Sequence, residues 1–170
     1  MIYIFLPVFN EEKNIENLLQ SIENFWLNKI QYEQIKIVIV DDGSKDDTNI
    51  KILDFDKRLK EKFYNNFEIK YIKHDMNCGL GSAVKTGLEY IIANNNNDKS
   101  ILITMDGDNS HQIENISPLM HYIKEGYKVT ICSRYAYGKN IEGVPFFRII
   151  IANIGSIIFQ LFFPIKGVKD

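Results

Sequence analysis

The chain is poor in several features that would each have pointed to a specific class of protein. Its 170 residues hold two cysteines, Cys78 and Cys132, far apart and without the spacing of a metal finger. A disulfide framework is thereby excluded, and both residues read as reduced thiols of a cytosolic protein. There is no surplus of basic charge either. Lys and Arg number 20 against 22 Asp and Glu, a net charge of -2, so the broad basic face of a nucleic-acid binder is missing and nucleic acid is not an expected partner. The opening MIYIFLPVFNEE has no basic leader and turns polar at Asn10, so it reads as a first strand rather than a signal peptide, which sets the expected location in the cytoplasm. Internal repeats are absent, and the one low-complexity run, Asn94 to Asn97, reads as a solvated spacer.

What is present is a regular alternation. Strand-like runs occur at IYIFLPV (2–8), IKIVIV (35–40), EIKYIK (68–73), ILITM (101–105) and KVTICS (128–133). Between them lie helical stripes: Ile15, Leu18, Leu19, Ile22, Phe25 and Trp26 share one face, as do Ile113, Ile116, Leu119, Met120 and Ile123. IKIVIV and ILITM are apolar almost throughout, as expected of central strands covered on both faces. The β-α-β order predicts an α/β fold with a mainly parallel sheet flanked by helices. Ligands of such open sheets sit beyond the carboxyl ends of the strands.

Acidic residues recur at those ends. The first strand runs into LPVFNEE, the second into VDDGSKDDT, the fourth into MDGDNS. Each has an ordinary explanation. Asp-Gly-Asp-Asn suits a turn, Ser44 or Asp46 suits a helix N-cap, and Glu11 and Glu12 suit a first helical turn. Yet carboxylates gathered at one sheet edge repel one another unless a cation or ligand donors relieve them, so turn and metal site both stand for Asp106 and Asp108. A calcium loop does not, because its sixth and twelfth positions, counted from Asp106, are His111 and Ser117. Gly79, Gly81 and Gly87 invite a phosphate-loop reading, but Val84 stands where the dinucleotide fingerprint needs glycine, and Val84-Lys85-Thr86 is not the Gly-Lys-Ser/Thr of a Walker loop. Gly87 alone fits close helix packing equally well.

LPVFNEE, IVIVDDGSKDDT, NCGLGSAVKTGL, MDGDNSH and SRYAYG, in this order and spacing, resemble the family 2 glycosyltransferases of GT-A fold, most closely the polyprenyl-phosphate (dolichol-phosphate) mannosyl- or glucosyltransferase branch. The resemblance covers roughly 150 residues. It implies a nucleotide-diphospho-sugar transferase fold over residues 1–145 and a donor of GDP-mannose or UDP-glucose type. It further implies a divalent cation, Mg²⁺ or Mn²⁺, held by Asp106 and Asp108 on either side of Gly107. Pro7, Phe9 and Glu11 match the first nucleotide-binding strand end, with Phe9 where Tyr is frequent. Val40 and Asp42 match the base-contacting pair, Asp41 being structural, and Arg134 matches an arginine near the diphosphate. Ser110 replaces the Gln that some members use as a further metal ligand, and His111 matches a motif histidine.

The implied reaction is an inverting transfer onto a polyprenyl phosphate, an acceptor already anionic, so that no general base is obligatory. The alternatives are a saccharide or protein acceptor, or a non-catalytic nucleotide-sugar-binding fragment. A nucleotidylyltransferase is disfavoured by the lack of its glycine- and basic-rich amino-terminal loop. Relative to the family the chain reads as truncated at its carboxyl end, where basic residues would continue beyond GVKD. Residues 146–165, FFRIIIANIGSIIFQLFFPI, are near bilayer-spanning length but carry Arg148, Asn153 and Gln160. They read as an interfacial helix on the cytoplasmic face of a membrane or as a buried helix, with self-association as a further expectation.

Overall fold

The computed structural model describes residues 1–132 except Tyr32 and Phe63. Two compact units divide the chain, Met1–Glu114 and Asn115–Asp170. The expected boundary at residue 145, the segment 146–165 and Arg134 lie outside the described residues.

In the first unit four strands, β1 (Ile2–Val8), β2 (Ile35–Asp41), β3 (Phe67–Lys73) and β4 (Ile101–Thr104), form a parallel sheet in the order β3-β2-β1-β4. The connections carry helices α1 (Ile15–Phe25, continued by a π-helical turn, Trp26–Ile30), α2 (Thr48–Glu61) and α3 (Leu80–Asn94). Parallel pairing brings every strand's carboxyl end to one edge. In register, Val8 stands opposite Asp41, and Asp41 opposite Lys73.

The alternation of side chains explains the two layers. Tyr3 and Phe5 of β1 and Val38 and Val40 of β2 share one face and pack with Ala83 and Ile91 of α3 in a buried cluster. The opposite face presents Ile2, Ile4, Leu6, Ile37 and Ile39, all buried. The α1 stripe is fully buried, as its period predicts, and Trp26 donates its indole N–H to the Glu33 carbonyl at 3.0 Å. Gly87 is a packing glycine. A Cβ there would lie 2.2 Å from the ring of Phe5, itself buried. Gly87→Ala should therefore cost about 1–3 kcal/mol by overpacking, read as a lowered urea midpoint with an unchanged m-value.

Two expectations need correction. β4 is the edge strand among the described residues, with Leu102 exposed on one face, rather than a strand covered on both sides. Lys128–Cys132 belong to no strand, so the run KVTICS forms no fifth strand among the described residues; Val129 and Ile131 are exposed, and β-branched composition does not by itself supply a partner strand.

In the second unit α4 (Ile116–Lys124) buries Ile116 and Met120, and Tyr122 stacks edge-on against Tyr127 at 5.8 Å. No helix of the described residues is long and apolar enough to cross a membrane.

Candidate functional site

The strand ends are built in two tiers, one that locks the loops and one that faces outward. The lock joins the loop after β1 to the loop after β2. Asn10, at φ 56°, donates its backbone N–H to Ser44 Oγ at 2.8 Å, and its own side-chain oxygen accepts from the Lys45 N–H at 2.9 Å. Glu11 N–H donates to Thr48 Oγ1, Glu12 N–H to Asp46 Oδ2, and Asp47 N–H to Glu12 Oε2. Lys51 Nζ adds a bond to the Glu12 carbonyl at 2.6 Å. Ser44 and Asp46 are thus absorbed by structure. Asp46 receives Thr48 N–H and hydroxyl through Oδ1, and Ser44 serves the neighbouring loop rather than α2.

Asp41 and Asp42 face different partners. Asp41 is fully buried: Oδ1 accepts the Ser44 N–H at 2.8 Å, closing the turn, and Oδ2 accepts the Tyr71 hydroxyl at 2.7 Å. Burial first, then the Asp41 carboxylate, pushes the Tyr71 phenol well above its usual range. Asp42 reaches the loop after β3. Its Oδ1 accepts from His74 Nδ1 at 2.7 Å and Cys78 N–H at 3.0 Å, and its Oδ2 from Gly79 N–H at 2.7 Å. Beyond it, His74 Nε2 lies 3.0 Å from Thr86 Oγ1 on α3. Gly43 permits this approach. At φ 76° it is left-handed, and a Cβ would meet the Met76 carbonyl carbon at 2.5 Å.

The outward tier contains Asp106 and Asp108. Both are exposed just beyond β4. Gly107 between them is buried because the loop rests on β1, where an added Cβ would be 2.6 Å from Val8 Cγ1 and 3.2 Å from the Pro7 carbonyl. Asp108 Oδ1 accepts the Ser110 N–H at 2.9 Å, and Asn109 turns the chain at φ 60°. The Ser110 hydroxyl and N–H hold the Asp108 carboxyl below its ordinary range, His111 adding to this. His111 Nε2 stands 3.5 Å from Asp106 Oδ2.

The remaining sequence-predicted residues divide by environment. Phe9 is 41% exposed at the end of β1, available for stacking. Pro7 lies beneath Gly107, and the Glu11 carboxylate accepts from Asn14 Nδ2 at 2.8 Å. Val40 is wholly buried in the cluster under α3, so its side chain belongs to the core. Sequence reasoning missed His74 and Thr86. The signal was the carboxyl end of β3, a fourth strand end beside β2, where His74 stands directly before Asp75.

Asp42, His74 and Cys78 place one ligand atom each within 4.8 Å of one another. Asp42 and His74 are already joined by a hydrogen bond, and the nitrogen and sulfur donors differ from the all-oxygen set that hard cations prefer.

Burial alone would raise the carboxyls of Asp42 and Asp46. Donors outweigh it in both: for Asp42 the Cys78 N–H, His74 and the Gly79 N–H, for Asp46 the Thr48 hydroxyl and the Glu12 and Thr48 N–H groups. Both folded values are therefore depressed. Their contribution to stability is complete above the ordinary aspartate value of about 3.9 and is lost as pH falls through the lower folded values. Urea midpoints at about pH 5 and about pH 3 should differ, with the lower stability in acid, and Asp46→Asn should shrink that difference.

A parallel sheet with its acidic and glycine loops gathered at the carboxyl edge is an open α/β fold with its ligand edge there, and comparison with known proteins makes it the GT-A fold of nucleotide-sugar transferases. The Glycosyl transferase family 2 description matches residues 3–160, and the chain belongs to that family. It is 31% identical over 168 residues to a dolichol-phosphate mannosyltransferase of Pyrococcus furiosus, covering 98% of this chain and 43% of that protein. It is 29% identical to a UDP-N-acetylglucosamine–dolichyl-phosphate N-acetylglucosaminyltransferase of Methanococcus voltae, covering 91% and 60%. The chain spans about half the length of these curated relatives. Among solved structures, S. aureus TarS 1-349 in complex with UDP-GlcNAc shares the fold at a TM-score of 0.51 and 22% identity, over 73% of this chain and 31% of that one.

Proposed function

We propose that the chain carries the donor-binding half of a metal-assisted, inverting glycosyltransferase that moves a sugar from a nucleoside diphosphate sugar to a polyprenyl phosphate at a cytoplasmic membrane surface. One observation carries the reading: Gly107 seats the Asp106–Asp108 loop on the end of β1, one strand away from Asp42 at the end of β2. A base reader and a diphosphate site thus share one edge, as a nucleotide needs. The names of the two curated relatives, which act on dolichyl phosphate, support the acceptor.

Asp106 and Asp108 fit a hard divalent cation. Both are exposed, both offer oxygen only, and the Asp108 carboxyl is held low and hence ionised. Bound there, Mg²⁺ or Mn²⁺ would offset charge on the leaving diphosphate. The chain's own groups position the donor: Asp42 accepts from the base, Phe9 offers a stacking face, and the locked loops fix both. In the transfer, an acceptor phosphate oxygen forms the new bond to the anomeric carbon. The bond to the nucleoside diphosphate breaks, its electron pair leaves with the diphosphate oxygen, and the anomeric configuration inverts.

Calorimetry with nucleoside diphosphates, with and without Mg²⁺ or Mn²⁺, tests this. Binding should weaken by about tenfold or more on chelation and equally in Asp108→Ala, the loss of one charge-assisted contact. Equal affinity with and without metal sinks the Asp106–Asp108 assignment. Transfer of labelled sugar to polyprenyl phosphate, with a soluble saccharide as the contrasting acceptor, tests the acceptor.

A further inference from the structure

The hydrogen bonds already made by Asp42 bear on which base the donor carries. A carboxylate has about four acceptor positions, two on each oxygen. Oδ1 has both taken, by His74 Nδ1 and the Cys78 N–H, and Oδ2 has one taken, by the Gly79 N–H. One position is left. The Asp42 side chain is only 6% exposed, so its remaining acceptor position is the limiting one.

We infer that the donor nucleoside is uridine rather than guanosine, selected because the His74–Cys78–Gly79 clamp leaves Asp42 one acceptor position; this rests on the donor-binding reading above. Uracil presents one ring N–H between two carbonyl groups, and a single acceptor position satisfies it. Guanine presents a ring N–H and an amino group side by side, and a carboxylate meets that pair with one position on each oxygen. Oδ1 has none to give. Guanine would have to displace His74 or the Cys78 N–H, or leave one of its own donors unpaired against a buried carboxylate.

The clamp is not easily displaced. His74 is held from behind by Thr86, which adjoins Gly87, the residue packed on Phe5. The Met76–Asn77 backbone that leads into Cys78 lies against Gly43, too close for any added carbon. A rotation of His74 or a retreat of the loop therefore disturbs packed groups on α3 and at the β2 end. His74 is a specificity-determining residue that acts through Asp42.

Calorimetric titration of the 170-residue chain with UDP and with GDP, in Mg²⁺, reads the selection directly. UDP should bind tighter by about tenfold or more, the usual penalty for an unmatched donor at a charged group. His74→Ala frees the second position on Oδ1 and should narrow the gap to about threefold or less, while His74→Asn, whose amide N–H replaces the lost donor, should restore it. GDP binding as tightly as UDP, or tighter, overturns the inference alone. An unchanged gap in a folded His74→Ala chain assigns the choice to other groups and overturns it as well. Absence of binding by either nucleotide overturns the donor-binding reading together with this one.

Discussion

Asp41→Ala is expected to lower the unfolding free energy by about 2–4 kcal/mol, a large share of the stability of a domain this size. The carboxylate is fully buried and accepts two hydrogen bonds, from the Ser44 N–H and the Tyr71 hydroxyl, with Lys73 Nζ at 4.0 Å. Truncation leaves two donors without their acceptor, the buried Ser44 N–H and the half-buried Tyr71 hydroxyl, and it opens a gap between β2 and β3. The loss should spread beyond Asp41. The turn it closes presents Ser44 to Asn10, and that contact begins the lock between the β1 and β2 loops. Asp41→Asn, which keeps an acceptor for one of the two donors, should cost about half as much. Urea unfolding followed by circular dichroism measures both variants. A loss below about 1 kcal/mol in Asp41→Ala would show that water or a rearranged turn satisfies Tyr71 and Ser44.

Different physical signals made different parts of the molecule legible in its sequence. β1, β2, β3 and α1 were readable because burial imposes a period, and the period survives in the residues: the five apolar stripe positions of α1, and Trp26 just beyond it, all reach the core. The edge position of β4 among the described residues was not, since ILIT is as apolar as a central strand and only the pairing order tells them apart. KVTICS shows the converse, a strand-like composition in a segment with no strand pairing among the described residues. At the site, sequence marked the acidic loops but not their division of labour. Glu12 and Asp46 look as available as Asp106 and Asp108, yet their carboxylates accept backbone N–H groups across the two loops, and only a three-dimensional partner list separates the two sets. His74 was marked in the sequence only by its place at a strand end. A single histidine after a strand carries no pattern, and its meaning comes from Asp42 on the neighbouring strand, 32 residues earlier in the chain.

The same partner list sets the expected outcome at Asp42, where the largest functional loss should fall. In the proposed function, Asp42→Ala takes away the acceptor for a nucleobase and, in the same stroke, it removes the three donors' common anchor on the loop from His74 to Gly79. A base contact to this carboxylate would be charge-assisted and largely shielded from water, so its loss alone should weaken nucleotide binding by about tenfold to a hundredfold. Release of the loop adds to this, because an ordered loop must then form at the moment of binding. We expect nucleoside diphosphate affinity to fall by about a hundredfold or more. In a folded Asp41→Ala chain the loss should be no more than about tenfold, because Asp41 points into the sheet edge and not toward the loop after β3. Measuring affinity and unfolding free energy on the same two variants separates the roles: Asp42→Ala should lead in lost affinity, Asp41→Ala in lost stability. If Asp41→Ala proves the worse binder while retaining its fold, the base is read by the inner carboxylate, and Asp42 is a loop anchor and nothing more.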